Sequence, residues 1–243
     1  MEAAEGGHLD LPVGCPWDAK TCSEAARGGH LEVLQWARAN GCPWDEWTCT
    51  FAAKGGHLQV FQWAIENRCP WDNKTLNIAA ENGHEAVVHA LIQAGADFNK
   101  AFDIDNDDYD YDDYHRYDYD DGATLLCIAA QNGHEAVLQA LIETGTDVNK
   151  ADENGATPLI IGAKMGHEAV VRALLEAGAE ANTAAVDGTT PLYVAAEKGH
   201  DVVVRALIEA SGDVNKAAEN GVSRLCIAAQ NGHEAVVRSL IHA

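Results

Sequence analysis

The seven cysteines are the residues best able to do chemistry in this 243-residue chain, because thiolates act as nucleophiles and as metal ligands. Cys15, Cys42 and Cys69 begin three copies of a Cys-Pro-Trp-Asp phrase that recurs with a period of 27, and Cys22 and Cys49 are separated by the same period. Zinc sites usually show close cysteine pairs with two residues between them, and the chain has no such pair. The spacing predicts equivalent positions of a repeat, filled by small buried hydrophobes, and no metal site.

Histidine is the second candidate, as a ligand or a general base. Eight of the eleven histidines follow a glycine: His8, His30, His57, His84, His134, His167, His200 and His233. Ligands of one metal must converge on a point, whereas a repeat distributes equivalent residues along an axis. Serine is sparse, and the chain contains no nucleophile elbow and no phosphate-binding glycine loop. We therefore expect no catalytic residue, no cofactor and no metal, and a protein that is not an enzyme.

The Gly-His step repeats with two periods. The period is 27 between His30 and His84, and it is 33 between His134 and His233. A fixed period predicts an array of stacked units. The clearest unit reads NGATPLIIGAKMGHEAVVRALLEAGAEAN, residues 154–182.

This unit predicts two short helices. Pro158 favours a helix start, because its fixed φ suits the first turn and its missing N–H would be unpaired there, and Gly166 ends that helix. A second helix begins near Glu168 and ends at Gly178, with an apolar stripe of Val170, Val171, Leu174 and Leu175. Helices this short are unstable alone, so neighbouring units must stack against them.

The unit resembles the ankyrin repeat, whose consensus is approximately DxxGxTPLHxAAxxGHxxVVxxLLxxGAxxN, and residues 187–215 match it about as well. The resemblance extends over almost the whole chain. It implies an all-α ankyrin-repeat solenoid of stacked helix pairs, with β-hairpin fingers in the C-terminal half. Asn154-Gly155, Asp187-Gly188 and Asn220-Gly221 favour the tight turns of such hairpins.

The repeats divide the chain into five predicted segments. Residues 1–17 are a degenerate repeat, either an end cap or the point where the sequence begins inside a longer protein. Residues 18–72 are short repeats without fingers, a style that resembles ankyrin arrays of algae, other protists and giant viruses. Residues 73–101 are a transitional repeat, 102–121 an insertion, and 122–243 four repeats of which the last is incomplete. All six tryptophans precede the transitional repeat, and we expect Trp36 and Trp63 to pack in the core.

The insertion, residues 102–121, holds ten acidic residues, one arginine and five of the six tyrosines, and so contributes nine of the 22 net negative charges. One interpretation is a solvated, self-repelling loop. A second is a docking site for a basic partner, because tyrosine rings and carboxylates both bind arginine. The residues of that site would be Asp105, Asp107, Asp108, Tyr109, Asp110, Tyr111, Asp112, Asp113, Tyr114, Tyr117 and Tyr119.

Calcium is a third, weaker interpretation of the insertion. Asp103, Asp105 and Asp107 have the alternate spacing of an EF-hand loop. The sixth and twelfth positions are Asp108 and Tyr114, where such a loop has glycine and glutamate. The net charge of −22 argues against a nucleic acid partner.

The resemblance implies a non-enzymatic scaffold or adaptor that binds a partner protein through its concave face and fingers. The acidic insertion predicts that this partner is basic and that the insertion also contacts it. The predicted finger tips are Asp152, Glu153, Asn154, Val186, Asp187, Glu219 and Asn220. First-helix residues predicted on the same face are Gln131, Lys164, Met165, Glu197, Lys198 and Gln230. One alternative is a structural or linker subunit of a larger assembly, held by uncapped ends and the tryptophan-rich repeats. Another is the recognition segment of a longer enzyme or signalling chain.

Location is predicted from what the sequence lacks. No apolar run reaches the roughly 18 residues of a membrane span, so we expect no direct membrane insertion. The acidic N-terminus has neither the basic start of a secretory signal nor the arginines of a transit peptide. We expect a soluble intracellular protein of the cytoplasm or nucleus, with an organelle left open.

Overall fold

The computed structural model describes residues 18–99, 123–211 and 223–243. The chain divides into two compact units, Met1–Trp71 and Asp72–Ala243. The described part of the first unit contains α1 (Ala19–Arg27), α2 (Leu31–Ala39), α3 (Glu46–Lys54) and α4 (Leu58–Glu66). The described part of the second contains α5 (Asn73–Glu81), α6 (Glu85–Gln93), α7 (Leu125–Asn132), α8 (Glu135–Glu143), α9 (Pro158–Met165), α10 (Glu168–Glu176), α11 (Pro191–Lys198), α12 (Asp201–Ser211), α13 (Arg224–Gln230) and α14 (Glu234–Ile241). None of these helices is long and apolar enough to span a bilayer.

The predicted helix pair of residues 154–182 is confirmed. The helix α9 begins at Pro158 and ends at Met165, and its C-cap Gly166 adopts a left-handed conformation with φ of 79°. In α10, Val170, Val171 and Leu174 are buried, whereas Leu175 is partly exposed. The same pairing of a first and a second helix recurs along each unit, which makes the fold a helical repeat array.

Every described first helix begins after a residue whose side chain accepts a hydrogen bond from the helix backbone. These N-caps are Asp18, Asp45, Asp72, Thr124, Thr157, Thr190 and Ser223. The first three are the aspartates of the Cys-Pro-Trp-Asp phrases, a role that the repeat pattern had not revealed. A cap of this kind stabilises a helix by about 1 kcal/mol. The phrase therefore marks the start of the next repeat.

The Gly-His step joins each repeat to the one before it. The Nε2 atoms of His167, His200 and His233 lie 2.8–3.1 Å from the backbone oxygens of Gln131, Lys164 and Glu197, respectively. A carbonyl oxygen only accepts, so the ring nitrogen donates. These carbonyls belong to the last turn of the preceding first helix, where helical partners are missing. The histidines therefore hold the stack together.

Trp36 is not a core residue, contrary to the prediction, and Trp63 is only partly buried. The side chain of Trp36 is 43% exposed, and Leu34 and Ala37 supply the buried face of α2. The positions in α10 that match Val33 and Trp36 are buried, because α10 packs against α8. On α2, by contrast, Val33 and Trp36 are both exposed.

The predicted β-hairpins are not shown, since no strand occurs in the residues that the structure describes. A two-residue type I′ turn needs positive φ at both central residues. In Asn154-Gly155 and Asp187-Gly188 only the glycines have positive φ, 75° and 80° respectively. The N–H of Asp152 donates to the oxygen of Ala156 at 3.1 Å, which closes a longer loop with three residues between the ends. The described fingers are therefore compact turns.

Candidate functional site

Two turns of the second unit carry the five predicted finger-tip residues that the structure describes. The first finger, residues 152–156, is held by the carboxylate of Asp152, whose Oδ1 accepts from the N–H groups of Asn154 (2.9 Å) and Ala156 (2.8 Å). The second finger, residues 185–189, is held by Asp187, whose Oδ1 accepts from the N–H of Thr189 at 2.8 Å. Each tip is thus fixed by an aspartate that binds its own backbone.

The two fingers are bonded to each other. The N–H of Val186 donates to the backbone oxygen of Asn154 at 2.9 Å. A Cβ atom at Gly155 would lie only 3.0 Å from the Val186 nitrogen, so glycine permits this close approach. The pair of fingers therefore presents one continuous edge rather than two independent loops.

The tips differ in what they offer to a partner. Val186 is 78% exposed, and Glu153, Asn154 and Asp187 are exposed as well. Asp152 is only 9% exposed, because its carboxylate is turned into the finger. The edge therefore exposes one apolar side chain, Val186, and two carboxylates, those of Glu153 and Asp187. The carboxylate of Asp152 stabilises the turn of the first finger.

The first-helix residues that the sequence predicted on the contact face lie at the C-terminal ends of their helices. Lys164, Met165, Lys198 and Gln230 are exposed, and Gln131 and Glu197 are partly exposed. The backbone oxygens of Gln131, Lys164 and Glu197 accept the histidine bonds, which places these residues at the junctions between repeats. Their side chains could form hydrogen bonds, ion pairs and apolar contacts with a polypeptide.

The stability of the second finger is expected to depend on pH. The hydrogen bonds from Thr189, and secondarily the charge of Lys164, lower the pKa of Asp187 below its ordinary value of 3.8. A lowered folded pKa means that the carboxylate stabilises the finger above pH 3.8 and that this effect is lost as pH falls through the folded pKa. NMR titration of the Thr189 amide should show that transition. Asp187→Asn should abolish it, and an unchanged titration in that variant would contradict the assignment.

A groove of about 340 Å³ lies between α8 and α10, on the second helices. Glu135, Gln139, Glu168 and Arg172 line it. Arg172 is already bound by Glu168, with Nε 2.9 Å from Oε1, and by Glu209, 3.6 Å from Nη1. The groove is therefore a charged surface, and no nucleophile, base and orienting group converge in it.

Several predicted residues lie outside the part of the chain that the structure describes. They are the whole insertion with its eleven contact candidates, the calcium candidates Asp103, Asp105 and Asp107, and the finger residues Glu219 and Asn220. Within residues 18–99, 123–211 and 223–243, no group of three or more His, Cys, Asp or Glu side chains is arranged to hold a metal.

The structure brings together cysteines that the repeat pattern had kept apart. The thiol of Cys22 lies within hydrogen-bond distance of Cys42, and that of Cys49 within hydrogen-bond distance of Cys69. The members of both pairs are 20 positions apart in sequence. Two positions with this separation lie on the first helix of a repeat and in the turn after its second helix. The spacing of 20 was therefore the sequence signal from which the cysteine pairs could have been predicted.

Comparison with protein families gives the fold a name. The family described as "Ankyrin repeats (3 copies)" matches residues 23–101, 106–185 and 177–243. A search of curated proteins found no match. The family match covers most of the chain, and the described residues of the matched ranges form successive helix pairs. The chain therefore belongs to the ankyrin-repeat family.

Proposed function

We propose that this chain is an adaptor that binds a basic segment of a partner protein through its fingers, its first-helix ends and the acidic insertion. Ankyrin repeats generally mediate protein–protein interaction, and this chain is built from them. A fold alone does not choose a partner, so the finer proposal rests on the surface of the second unit.

The exposed valine at the tip of the second finger carries the proposal. Val186 is 78% exposed on a backbone that is fixed by the Asn154 carbonyl and by the Asp187 turn. Apolar side chains on a prearranged backbone bind at a low cost in conformational entropy. Glu153 and Asp187, which adjoin the bonded residues Asn154 and Val186 in sequence, are exposed and add two negative charges to the paired fingers.

Charge supports a basic partner. The chain carries a net charge of −22, and nine of these charges fall in residues 102–121. Arginine binds carboxylates through paired hydrogen bonds and stacks on tyrosine rings. Exposed contacts of this kind are screened by salt, with a Debye length of about 8 Å at physiological ionic strength. Binding that is driven by them should weaken as salt is added.

Selection of a random peptide library on the intact chain tests the proposal. We expect enrichment of peptides rich in arginine and lysine. Replacing residues 103–120 by a short Gly-Ser turn, or making the triple variant Glu153→Ala/Val186→Ala/Asp187→Asn, should each weaken binding of the selected peptides by about tenfold or more. Affinity is measured by calorimetry at low and high salt.

A matched control separates the fingers from general loss of apolar surface. Val202 is also an exposed valine, 40% accessible, and it lies on the second helix α12 rather than on a finger. Val202→Ala should leave peptide affinity unchanged. Selected peptides without a charge preference, bound equally by all variants, would show that the proposal is wrong.

A second candidate, a subunit of a larger assembly, is favoured by the exposed side chains of α2. Val33 is 52% and Trp36 is 43% exposed, and tryptophan is common among residues that dominate interfaces. Under this alternative, Trp36→Ala would release the chain from its native assembly in size-exclusion chromatography of cell extract. The finger variants would leave it bound.

A further inference from the structure

Two cysteine pairs occupy equivalent positions in the first unit. Cys22 and Cys49 are the fourth residues of α1 and α3, and Cys42 and Cys69 follow the ends of α2 and α4. The two thiols of each pair lie within hydrogen-bond distance of each other. All four side chains are buried, with exposed fractions between 0% and 3%. The same arrangement thus occurs twice in successive repeats.

Each pair forms a chain of hydrogen bonds. The thiol of Cys42 donates to the backbone oxygen of Asp18 at 3.4 Å, and that of Cys69 donates to the backbone oxygen of Asp45 at 3.4 Å. A thiol has one hydrogen, so the sulfur of Cys42 is left to accept the hydrogen of Cys22. The sulfur of Cys69 accepts that of Cys49 in the same way. A side-chain hydrogen bond thus joins Cys22 to Cys42 and Cys49 to Cys69, and the second thiol of each pair lies against the N-cap residue of the helix that carries the first.

Packing alone does not require two sulfurs at these positions. In the second unit the same positions hold a leucine and a small residue with the same separation: Leu76 and Ala96, Leu126 and Thr146, Leu159 and Ala179. All six of these side chains are buried too. A large and a small side chain fill the site there, so a pair of thiols in both described repeats of the first unit points to chemistry between them.

We propose that Cys22–Cys42 and Cys49–Cys69 are two dithiol sites, each of which closes to a disulfide under oxidation by hydrogen peroxide. One thiolate attacks a peroxide oxygen, the O–O bond breaks, and the leaving hydroxide takes up a proton to give water and a sulfenic acid. The second thiol then attacks that sulfur. The S–S bond forms and a second water leaves, so two thiols and one peroxide give one disulfide and two waters.

The environment makes these thiols slow to react. Burial, and then the hydrogen bond to Cys42, raise the pKa of Cys22 to about 12. The hydrogen bond to Cys69, and then burial, raise the pKa of Cys49 as well. Only the thiolate is nucleophilic, so both sites react less readily than Cys226, the one exposed cysteine of the described residues.

The first pair is expected to react faster than the second. The Nη1 atom of Arg38 donates to the backbone oxygen of Cys42, and its positive charge favours the thiolate of Cys22. The equivalent residue of the next repeat, 27 positions later, is Ile65. A nearby cation raises the thiolate fraction, and only the first pair has this arginine.

Oxidation of the intact chain tests the proposal. The reduced protein is treated with hydrogen peroxide, quenched with N-ethylmaleimide, unfolded and digested for mass spectrometry. We expect two linked peptides, one joining Cys22 to Cys42 and one joining Cys49 to Cys69, with the first appearing earlier. Each link closes a loop in the unfolded chain and so lowers its entropy. Oxidation should therefore raise the Tm by about 10 °C or more when both links form, and dithiothreitol should reverse the change.

Two variants make the test specific. Cys22→Leu/Cys42→Ala carries the residues of the equivalent pair Leu76 and Ala96, so it should fold, lose the first link and keep the second. Arg38→Ile should slow the first link to the rate of the second, and circular dichroism confirms that both variants fold. The proposal is overturned if all four cysteines carry N-ethylmaleimide after unfolding, or if links form only between chains through Cys226.

Discussion

Leu159→Ala is expected to lower the free energy of unfolding by about 3 kcal/mol. Leu159 lies in the first turn of α9 and is 1% exposed. The helix α9 packs against α7, α10 and α11, so the cavity would open where several helices meet. Because a stacked repeat is stabilised by its neighbours, loss of this contact should destabilise the adjacent repeats as well. Urea denaturation followed by circular dichroism measures the change.

The chain supplies its own control for that prediction. Leu225 occupies the equivalent position of α13 and is 40% exposed. Leu225→Ala removes the same atoms from a site that is already partly hydrated, so we expect a cost of about 1 kcal/mol or less. Equal costs for the two substitutions would show that burial between helices does not set the stability of this array.

Helices and their ends were predictable because local chemistry determines them. Pro158 and Gly166 delimit α9 as expected, and the described second helices begin one residue after each histidine of the Gly-His step. A proline at a first turn and a glycine at a helix end act through their own backbone preferences. Because the units repeat, a helix boundary predicted in one unit could be assigned to the equivalent position of every other unit.

Features that depend on neighbours in space were harder to predict. Trp36 is 43% exposed, whereas the matching position of α10 is buried, and the pattern of a single helix does not distinguish the two cases. Cys22 and Cys42 are 20 positions apart and interact. The period of 27 predicts which cysteines occupy equivalent positions in successive repeats, and it does not predict which cysteines are in contact. The burial of a side chain and its contacts with distant residues depend on how the helices pack against one another, and the pattern within one helix does not determine them.

The fingers show the same limit at the candidate site. The sequence identified the tips, but its pattern made Asp152 a contact residue and the turns β-hairpins. In the structure, the Asp152 carboxylate accepts two backbone N–H groups of its own turn, and only Gly155 adopts positive φ. Aspartate often makes such local bonds in turns, so an acidic residue two positions before Asn-Gly can be structural.

Gly166→Ala is expected to lower the free energy of unfolding by about 3 kcal/mol. Gly166 has φ of 79°, which an alanine adopts only with strain. A Cβ atom there would also lie 2.5 Å from Nδ1 and 2.8 Å from Cγ of His200. The ring could move away only by giving up its bond to the Lys164 oxygen, 3.0 Å from Nε2. The glycine of the Gly-His step is thus required by the histidine of the following repeat.

Two further variants separate strain from contact. Gly178 has φ of 91°, and no atom lies within 4 Å of the place that a Cβ would take, so Gly178→Ala should cost only the backbone strain, about 1 kcal/mol. In a double-mutant cycle, His200→Ala should remove about 1–2 kcal/mol of the cost of Gly166→Ala, because the clash disappears with the ring. If Gly166→Ala costs no more than Gly178→Ala, or if the cycle shows no coupling, the ring contact does not explain the glycine. The contact between the two repeats would then be stabilised only by the hydrogen bond from His200 to the Lys164 oxygen.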